Sequence, residues 1–167
     1  FSDLKLPSEN VDTDIFFLGG DKGRYDTLIN LKQNLNQLGI TTDFNIVKTN
    51  RNLFFDNDNR EYSSPISYEE NLQRIAKSNA ILEILQDPTD GLSLRAMESV
   101  FFDKKLITNS KEIKEHPFFN SSNIFILGEN DLKTLPLFLQ MPYEPVPTNI
   151  KQHYEFGNWL NRILNLR

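Results

Sequence analysis

One turn in this sequence, Asp90-Gly91-Leu92-Ser93, has the residue types and the position to bind an anion. The apolar run at residues 80–85 is short enough for a buried strand, and residues 86–91 break it before a helix that begins at about Leu92 or Ser93. The free N–H groups and the positive dipole end of such a helix point at the carboxyl edge of the sheet, where open α/β sheets bind anions. The spacing therefore predicts an anion site at this turn.

Glu98 lies on the apolar stripe of the same helix, with Leu94 four residues before it and Phe101 and Phe102 three and four residues after it. A carboxylate at such a position is costly to bury unless a partner hydrogen-bonds it. A pair of ligand hydroxyls would be one such partner. Pairing with Arg95, or contact with solvent at the helix edge, is the alternative, and the spacing leaves both open.

A second turn, Gly19-Gly20-Asp21-Lys22-Gly23-Arg24, follows the predicted strand at residues 13–18. Its glycines let the backbone approach a phosphate closely, and Lys22 and Arg24 supply positive charge. The pattern differs from the dinucleotide-binding fingerprint, because its glycines have another spacing. A solvated basic loop is the alternative interpretation of this turn.

Alternating strands and helices surround these two turns. A helix over residues 25–38, with Gly39 after it, and a capping box at Ser67 and Glu70 are further helix signals. We predict a single α/β domain over residues 1–167, a Rossmann-like three-layer sandwich with a mainly parallel sheet. The predicted strands are residues 13–18, 43–48, 80–85, 104–108 and 123–127; the predicted helices are residues 25–38, 67–78 and 92–102, a short one from 130 or 131, and an amphipathic one over 150–166; residues 49–65 are predicted to be a loop that could hold a short hairpin.

Composition excludes several classes of protein. The 167 residues carry a net charge of −5 with both signs interspersed, so no basic stripe indicates nucleic acid or anionic lipid. There is no cysteine for a disulfide framework, and no apolar run long enough to span a membrane. The two histidines are far apart, and the pairs Asp12/Asp14 and Asp56/Asp58 lack a full ligand set, so no metal site is predicted. Because the chain starts at Phe1 without a signal-peptide pattern, we expect a piece of a longer protein.

These motifs together resemble the C-terminal, nucleotide-sugar-binding domain of GT-B glycosyltransferases of the bacterial surface-polysaccharide and lipopolysaccharide type. In that family an acid, seven residues and a glutamate bracket the central turn and helix, as Asp90 and Glu98 do here. Lys22-Gly23 matches the family's Lys-Gly after the first strand, and Ser67-Tyr68-Glu69-Glu70 matches its Ser-x-Glu-Glu helix start. Asp90 stands where the family has glutamate, and Leu92-Ser93 stands where it has an aromatic residue and glycine.

The resemblance implies a role for each of these residues. Glu98 would accept hydrogen bonds from the ribose, and Lys22 and Arg24 would neutralise the diphosphate and help the leaving group depart. Asp90 would contact the sugar. The implied catalytic residues are Lys22, Arg24 and Asp90, and the implied donor-binding residues are Gly20, Gly23, Ile66, Tyr68, Gly91, Leu92, Ser93 and Glu98.

The resemblance also implies partners. The co-substrate would be a nucleotide-diphospho-sugar, with no metal or other cofactor, and the acceptor would be a glycan or a lipid-linked glycan. An N-terminal acceptor-binding domain of the parent chain would complete the enzyme, and the helix over residues 150–166 would cross back to it. The location would be cytoplasmic, at the inner face of the cytoplasmic membrane, with any peripheral membrane contact made by that domain.

Two other functions stay open. The first is a non-catalytic Rossmann-like module that binds a partner protein or a small anion, which would gain support if side chains filled the turn after residue 18. The second is an enzyme on a flavodoxin-like sheet that binds another phosphorylated ligand. The turn after the first strand lacks the hydroxyl residues typical of a flavin phosphate loop, and this counts against the second.

Overall fold

Five strands form one all-parallel sheet in the computed structural model, which describes residues 5–7, 9–49, 60–87, 91–155, 157, 158, 160 and 164. The predicted α/β class is therefore confirmed. The strands are β1 (Thr13–Gly20), β2 (Thr42–Val47), β3 (Ser78–Glu83), β4 (Lys105–Thr108) and β5 (Ile124–Ile126). The helices are α1 (Tyr25–Gln37), α2 (Tyr68–Ala76), α3 (Leu94–Phe101), α4 (Leu135–Gln140) and α5 (Thr148–Tyr154), with short 3-10 helices at Glu112–Glu115 and Leu132–Thr134.

The strand order is β2-β1-β3-β4-β5, one of the common orders of doubly wound sheets. From β1 the chain crosses to β2 on one side, and from β3 onward it moves to the other side. The direction of winding thus reverses between β1 and β3. In open α/β sheets, ligands bind in the crevice at the carboxyl ends of the strands at such a reversal. The loops that follow β1 and β3 are the two predicted turns.

Both faces of the sheet are covered, which explains why consecutive residues in the middle of its central strands are apolar. Ile15 and Phe17 of β1 belong to a core with α1 and α4, while Phe16 between them packs with Ile75 of α2. A third cluster lies under α3, around Val100. These layers place the start of α1 on one face at the carboxyl edge and the starts of α2 and α3 on the other.

Serine side chains fix where α2 and α3 begin. The Ser67 hydroxyl accepts a hydrogen bond from the Glu70 N–H at 3.1 Å. The Ser93 hydroxyl accepts from the N–H groups of Arg95 and Ala96 at 3.0 and 3.2 Å. Each bond satisfies a donor that the first helical turn leaves unpaired. Both predicted helix starts are confirmed.

Several predicted boundaries need correction. β3 covers Ser78–Glu83 rather than residues 80–85, because α2 ends at Ala76, two residues earlier than predicted. β1 runs through Gly19 and Gly20, which pair with Ile46 and Val47 of β2, because glycine can continue a parallel ladder that its neighbour strand supports. The predicted single helix over residues 150–166 is interrupted, since Glu155 has an extended backbone with ψ of 139°. Three sets of predicted residues lie outside the described part of the chain. They are Trp159 and Ile163 of this helix, residues 50–59 of the predicted loop with Asp56 and Asp58, and Asp90.

Candidate functional site

A small polar cleft, with room inside for about one water molecule, lies at the carboxyl edge of the sheet, where β3 and β4 end and α3 begins. Gly91, Leu92 and Ser93 form the side contributed by the start of α3, as the sequence predicted for a binding turn. The remaining polar lining consists of Glu83, Ser110, Glu112 and His116.

Glu83, the last residue of β3, is the buried acid of this cleft, with 4% of its surface exposed. Its carboxylate accepts hydrogen bonds from the hydroxyls of Ser93 and, at 2.5 Å, Thr108. Thr108 in turn accepts the Ser110 N–H at 3.0 Å. Sequence reasoning missed Glu83, although a carboxylate within the apolar run at residues 80–85 was the signal.

Ser93 connects this carboxylate to the start of α3. Its hydroxyl accepts from the first-turn N–H groups of the helix and donates to Glu83. The sequence predicted that an external anion would lie at the positive end of the helix dipole. In the structure the Glu83 carboxylate faces that end through Ser93. The chain itself supplies the negative charge that favours this helix start.

His116 follows the 3-10 helix Glu112–Glu115 and forms the opposite wall of the cleft. Its ring stacks on Phe118 with centroids 5.3 Å apart, and its Nδ1 lies 3.2 Å from the Tyr154 hydroxyl. Burial lowers the pKa of His116, although Glu115 and Glu112 act to raise it. A neutral imidazole has one nitrogen that donates and one that accepts a hydrogen bond. His116 can therefore bond a hydroxyl that acts as donor or as acceptor.

The turn after β1 is filled by protein side chains. The Asp21 carboxylate accepts the Thr49 N–H at 2.9 Å, the Thr49 hydroxyl at 2.5 Å and the Tyr62 hydroxyl at 3.2 Å. Burial opposes ionisation of Asp21, but hydrogen bonds led by that of the Thr49 side chain keep its pKa below the ordinary value. A Cβ at Gly20 would lie 2.2 Å from the Thr49 Cγ2 atom. Gly20 is therefore needed here for close packing on Thr49.

The two cations of this turn lie in different environments. The Arg24 guanidinium donates to the carbonyls of Asp21 and Gly20 at 3.3 and 3.1 Å, so it closes its own turn. Burial lowers the pKa of Arg24, although Asp21 acts to raise it. Lys22 is exposed, and its ammonium has no ion pair within the part of the chain that the structure describes. Gly23 has φ of 78° and open space where a Cβ would lie. Lys22 is the cation that this turn leaves free for a ligand.

Side-chain amides connect the loops at the rim of the sheet. The Gln86 Nε2 atom donates to the Lys22 carbonyl at 3.1 Å, which joins the loop after β3 to the loop after β1. Asn109, after β4, exchanges hydrogen bonds of 2.7 and 3.0 Å with the backbone of Leu85. Leu85 also lines the cleft, so the loop that follows β3 contacts both the cleft and, through Gln86, the loop after β1. The structure thus joins the loops after β1 and β3 at the rim of the sheet.

Glu98 lies apart from the cleft, between α2 and α3, and its side chain is completely buried. Asn71 donates to its Oε1 atom at 3.0 Å, Arg95 pairs with its other oxygen, and the Tyr68 hydroxyl also bonds the carboxylate. Burial raises the pKa of Glu98, although Arg95, Asn71 and Tyr68 act to lower it. Pairing with Arg95 was the alternative that the spacing left open. In this arrangement Glu98 has no surface for a ribose hydroxyl.

Two residues that the resemblance places beside the nucleotide base, Ile66 and Tyr68, lie near the Glu98–Arg95 ion pair. Tyr68, at the first position of α2, is 43% exposed, and Ile66 before it is half-buried. Both lie at the carboxyl edge of the sheet on the α2 side, and the hydroxyl of Tyr68 points at Glu98. The predicted site residues that the structure describes thus occupy three places: the turn after β1, the cleft, and the α2–α3 contact.

The described residues contain no cluster of side chains that could hold a metal ion. Within them, no three His, Asp or Glu side chains lie together as metal ligands would. Asp14, of the pair Asp12/Asp14, accepts the N–H and hydroxyl of Thr41 at 2.8 and 2.7 Å, which fastens β1 to the turn before β2.

Among the described residues, no helix combines the length and apolar character that crossing a bilayer demands.

The fold and its rim define the chain as a doubly wound, all-parallel α/β domain with a polar cleft at the carboxyl edge of its sheet. Comparison of the chain with protein-family models, with curated proteins and with solved structures finds no match.

Proposed function

We propose that this domain binds the nucleotide-diphospho-sugar donor of a glycosyltransferase that builds a surface polysaccharide or lipopolysaccharide. The observation that carries the proposal is the fixed backbone of the exposed Lys22: its carbonyl accepts from Gln86, and this bond joins the loops after β1 and β3, the two strands between which the winding reverses. The diphosphate would lie at Lys22, and the sugar end of the donor would reach toward Gly91, Leu92 and Ser93.

The base and ribose would extend along the start of α2, past Tyr68 and Ile66. For Glu98 to accept a ribose hydroxyl, Arg95 would first have to leave it. Arg24 would act through the turn that it closes rather than on the phosphate itself. Lys22 would supply electrostatically what a metal ion supplies elsewhere, so no metal is part of the proposal.

On this proposal the chain works with an N-terminal acceptor-binding domain of its parent protein, and the acceptor is a glycan or a lipid-linked glycan. The enzyme would act in the cytoplasm at the inner face of the cytoplasmic membrane. The domain alone would bind donor without transferring the sugar.

Titration of the 167-residue chain with uridine, guanosine, adenosine and cytidine diphosphates, each with and without sugar, tests the proposal by calorimetry and amide chemical shifts. Lys22→Ala should weaken binding by about 1.5–3 kcal/mol, the range for a charge-assisted hydrogen bond. Lys77→Ala is the control, since Lys77 precedes β3 and so lies at the opposite edge of the sheet.

Gly91→Ala gives a second, steric test. A Cβ at Gly91 meets nothing within 4 Å, so the variant should fold normally while its methyl group obstructs a ligand that packs on this turn. Gly157→Ala is matched to it, because Gly157 also has open space around its Cβ position. Failure of all the nucleotides to bind at millimolar concentration would contradict the proposal.

The second candidate is a non-catalytic module of the same fold that binds a partner protein or a small anion. It is favoured by the turn after β1, where Thr49, Asp21 and Tyr62 fill the space expected for a phosphate. The same titrations separate the two functions. Such a module would give no heat of binding and no amide shift with any nucleoside diphosphate, and Gly91→Ala would leave these titration results unchanged.

A further inference from the structure

The amino edge of the sheet, opposite the loops that carry Lys22 and the cleft, has a larger pocket than that cleft. We infer that this pocket binds a lysine or arginine side chain of a partner protein, and that the adjacent face of α4 binds apolar residues beside it in the partner's sequence. The inference does not depend on the proposed function, because the two places lie at opposite ends of the parallel strands.

The amino-edge pocket has a volume of about 230 Å³ and lies where β1 and β3 begin. Its lining includes Asp14 and Asn79 from the strands, Leu38 and Ile40 from the turn after α1, and Leu139 and Gln140 from α4. Sites for drug-sized ligands occupy roughly 300–1,000 Å³, whereas a cavity of about 150 Å³ already holds a benzene ring. The size therefore suits one long side chain better than a nucleotide or a cofactor.

Asp14 gives the pocket a negative charge. Its Oδ2 atom accepts the N–H and the hydroxyl of Thr41, while its Oδ1 atom has no bonding partner within the described part of the chain. None of the described residues that line the pocket is a lysine, arginine or histidine. Lys105, which contacts the end of α4, donates to the carbonyls of Phe138 and Ser122 and is only 2% exposed. Asp14 is thus a fixed carboxylate with an oxygen available to an external cation.

The other polar groups of the pocket also favour a cationic donor. The Asn79 Nδ2 atom donates to the Leu139 carbonyl at 3.0 Å, which leaves the amide oxygen of Asn79 as an acceptor. Gln140 adds a second side-chain amide. The negative end of the α1 dipole lies at Leu38, and α1 has no basic residue in its last turn to offset it. An ammonium or guanidinium group has the several N–H donors that such acceptors bond.

An apolar face of α4 borders the pocket and favours a polypeptide over a free amine. Pro136 and Gln140 line the pocket one helical turn apart, and the next positions, Leu137 and Met141, are 67% and 42% exposed. The bond from Asn79 to the carbonyl of Leu139 fixes this end of α4, so pocket and apolar face form one preformed surface. A free amine would leave Leu137 and Met141 in water, whereas a peptide with leucine beside its arginine would cover them. The net charge of −5 also favours encounter with a basic partner.

The test follows the backbone amides of Gly39, Ile40 and Gln140 by NMR in the 167-residue chain. The probes are the blocked tripeptides acetyl-Leu-Arg-Leu-amide and acetyl-Leu-Lys-Leu-amide, with ethylguanidinium as the free cation. Acetyl-Leu-citrulline-Leu-amide is the control peptide, because citrulline has nearly the shape of arginine without its charge. We expect at least one cationic tripeptide to shift these amides at millimolar concentration, while the citrulline peptide leaves them in place.

Two variants separate the charge from the apolar face. Asp14→Asn should weaken binding of the cationic tripeptide by about ten-fold, since it removes the charge and keeps an oxygen for Thr41. Asp12→Asn is its control, because Asp12 is exposed two residues earlier and does not line the pocket. Leu137→Ser should weaken the tripeptide by about three- to ten-fold and leave ethylguanidinium unaffected. Leu94→Ser is the matched control: Leu94 is 51% exposed, but it lies at the carboxyl edge.

Three results would overturn the inference: no shift with either cationic tripeptide, equal shifts with the arginine and citrulline peptides, or an unchanged affinity in Asp14→Asn. If ethylguanidinium binds as tightly as the tripeptides and Leu137→Ser has no effect, the pocket is a site for a free amine and the docking of a partner protein is refuted. Asp14→Asn should leave every nucleoside diphosphate titration unchanged, so the outcome for this pocket is independent of the outcome for the donor site.

Discussion

Replacing Arg95 by methionine should destabilise the domain strongly, because it leaves the Glu98 carboxylate buried without its cation. Glu98 has no exposed surface, whereas Arg95 is 18% exposed. Removing one partner of a buried ion pair costs about 3–5 kcal/mol, and the partial exposure of Arg95 suggests the lower end, about 3 kcal/mol. For a domain of this size each kcal/mol lowers the melting temperature by about 2–4 °C, so we expect a loss of about 6–12 °C.

The loss should also depend on pH in a defined direction. Burial raises the folded pKa of Glu98 above its ordinary value, so the folded chain holds this proton at pH values where the unfolded chain has released it. Stability therefore falls as pH rises from the unfolded pKa to the folded one. Arg95→Met raises the folded pKa further. The variant should thus lose more stability at about pH 7 than at about pH 5.

Urea unfolding followed by circular dichroism at both pH values measures this, with three variants for comparison. Glu98→Gln should lower the free energy of unfolding by less than Arg95→Met does, because the remaining Arg95 guanidinium still bonds Asn71 and reaches solvent. The double variant should recover most of the loss. Arg74→Met is the matched control: Arg74 pairs with Glu70 and Asp43 at a half-exposed site, where about 0–1 kcal/mol is expected. Equal losses for Arg74→Met and Arg95→Met, or a pH-independent loss, would refute the reasoning.

Three further predictions concern the rim of the sheet. Gly20→Ala should cost about 1–3 kcal/mol of unfolding free energy, because its Cβ would lie 2.2 Å from Thr49, whereas Gly157→Ala should be close to neutral in the same denaturation assay. Ser93→Ala should cost about 1–2 kcal/mol through loss of the α3 cap, and Ser93→Thr should restore most of it; equal melting temperatures for all three chains would contradict this. Lys22→Gly should leave unfolding unchanged within about 1 kcal/mol, since glycine accepts the φ of 43° found there, while lowering nucleoside diphosphate affinity as Lys22→Ala does. Unchanged affinity in calorimetry would remove Lys22 from the site.

The fold could be predicted from local pattern because each element has its own signal. Short apolar runs, such as residues 15–18 and 80–82, mark the central strands, and the spacing of Leu28 and Leu35 marks the buried face of α1. Ser67 and Ser93 mark two helix starts, and both cap them. The strand order has no such signal, since it depends on which apolar faces pack together.

The site was predicted less completely, because residue type does not reveal a side chain's partner. Arg24 is a cation beside a glycine turn in the sequence, yet its guanidinium donates to carbonyls of that turn. Glu98 is an acid on an apolar stripe, and its partners Asn71 and Tyr68 come from a helix more than twenty residues earlier in the chain. Glu83 looked like part of a strand, and only the approach of Ser93 and Thr108 makes it the centre of the cleft.

The packing that fills the turn after β1 is compatible with a ligand role for Lys22. The N–H of Lys22 donates to Thr49 and its carbonyl accepts from Gln86, so its backbone is fixed on both sides while its ammonium stays exposed. A lysine at φ of 43° is less stable than glycine would be in that conformation. A turn with only a structural task would gain nothing from this residue. A lysine whose backbone is fixed and whose ammonium is exposed on the loop after β1 is the cation that the proposed binding of a diphosphate uses.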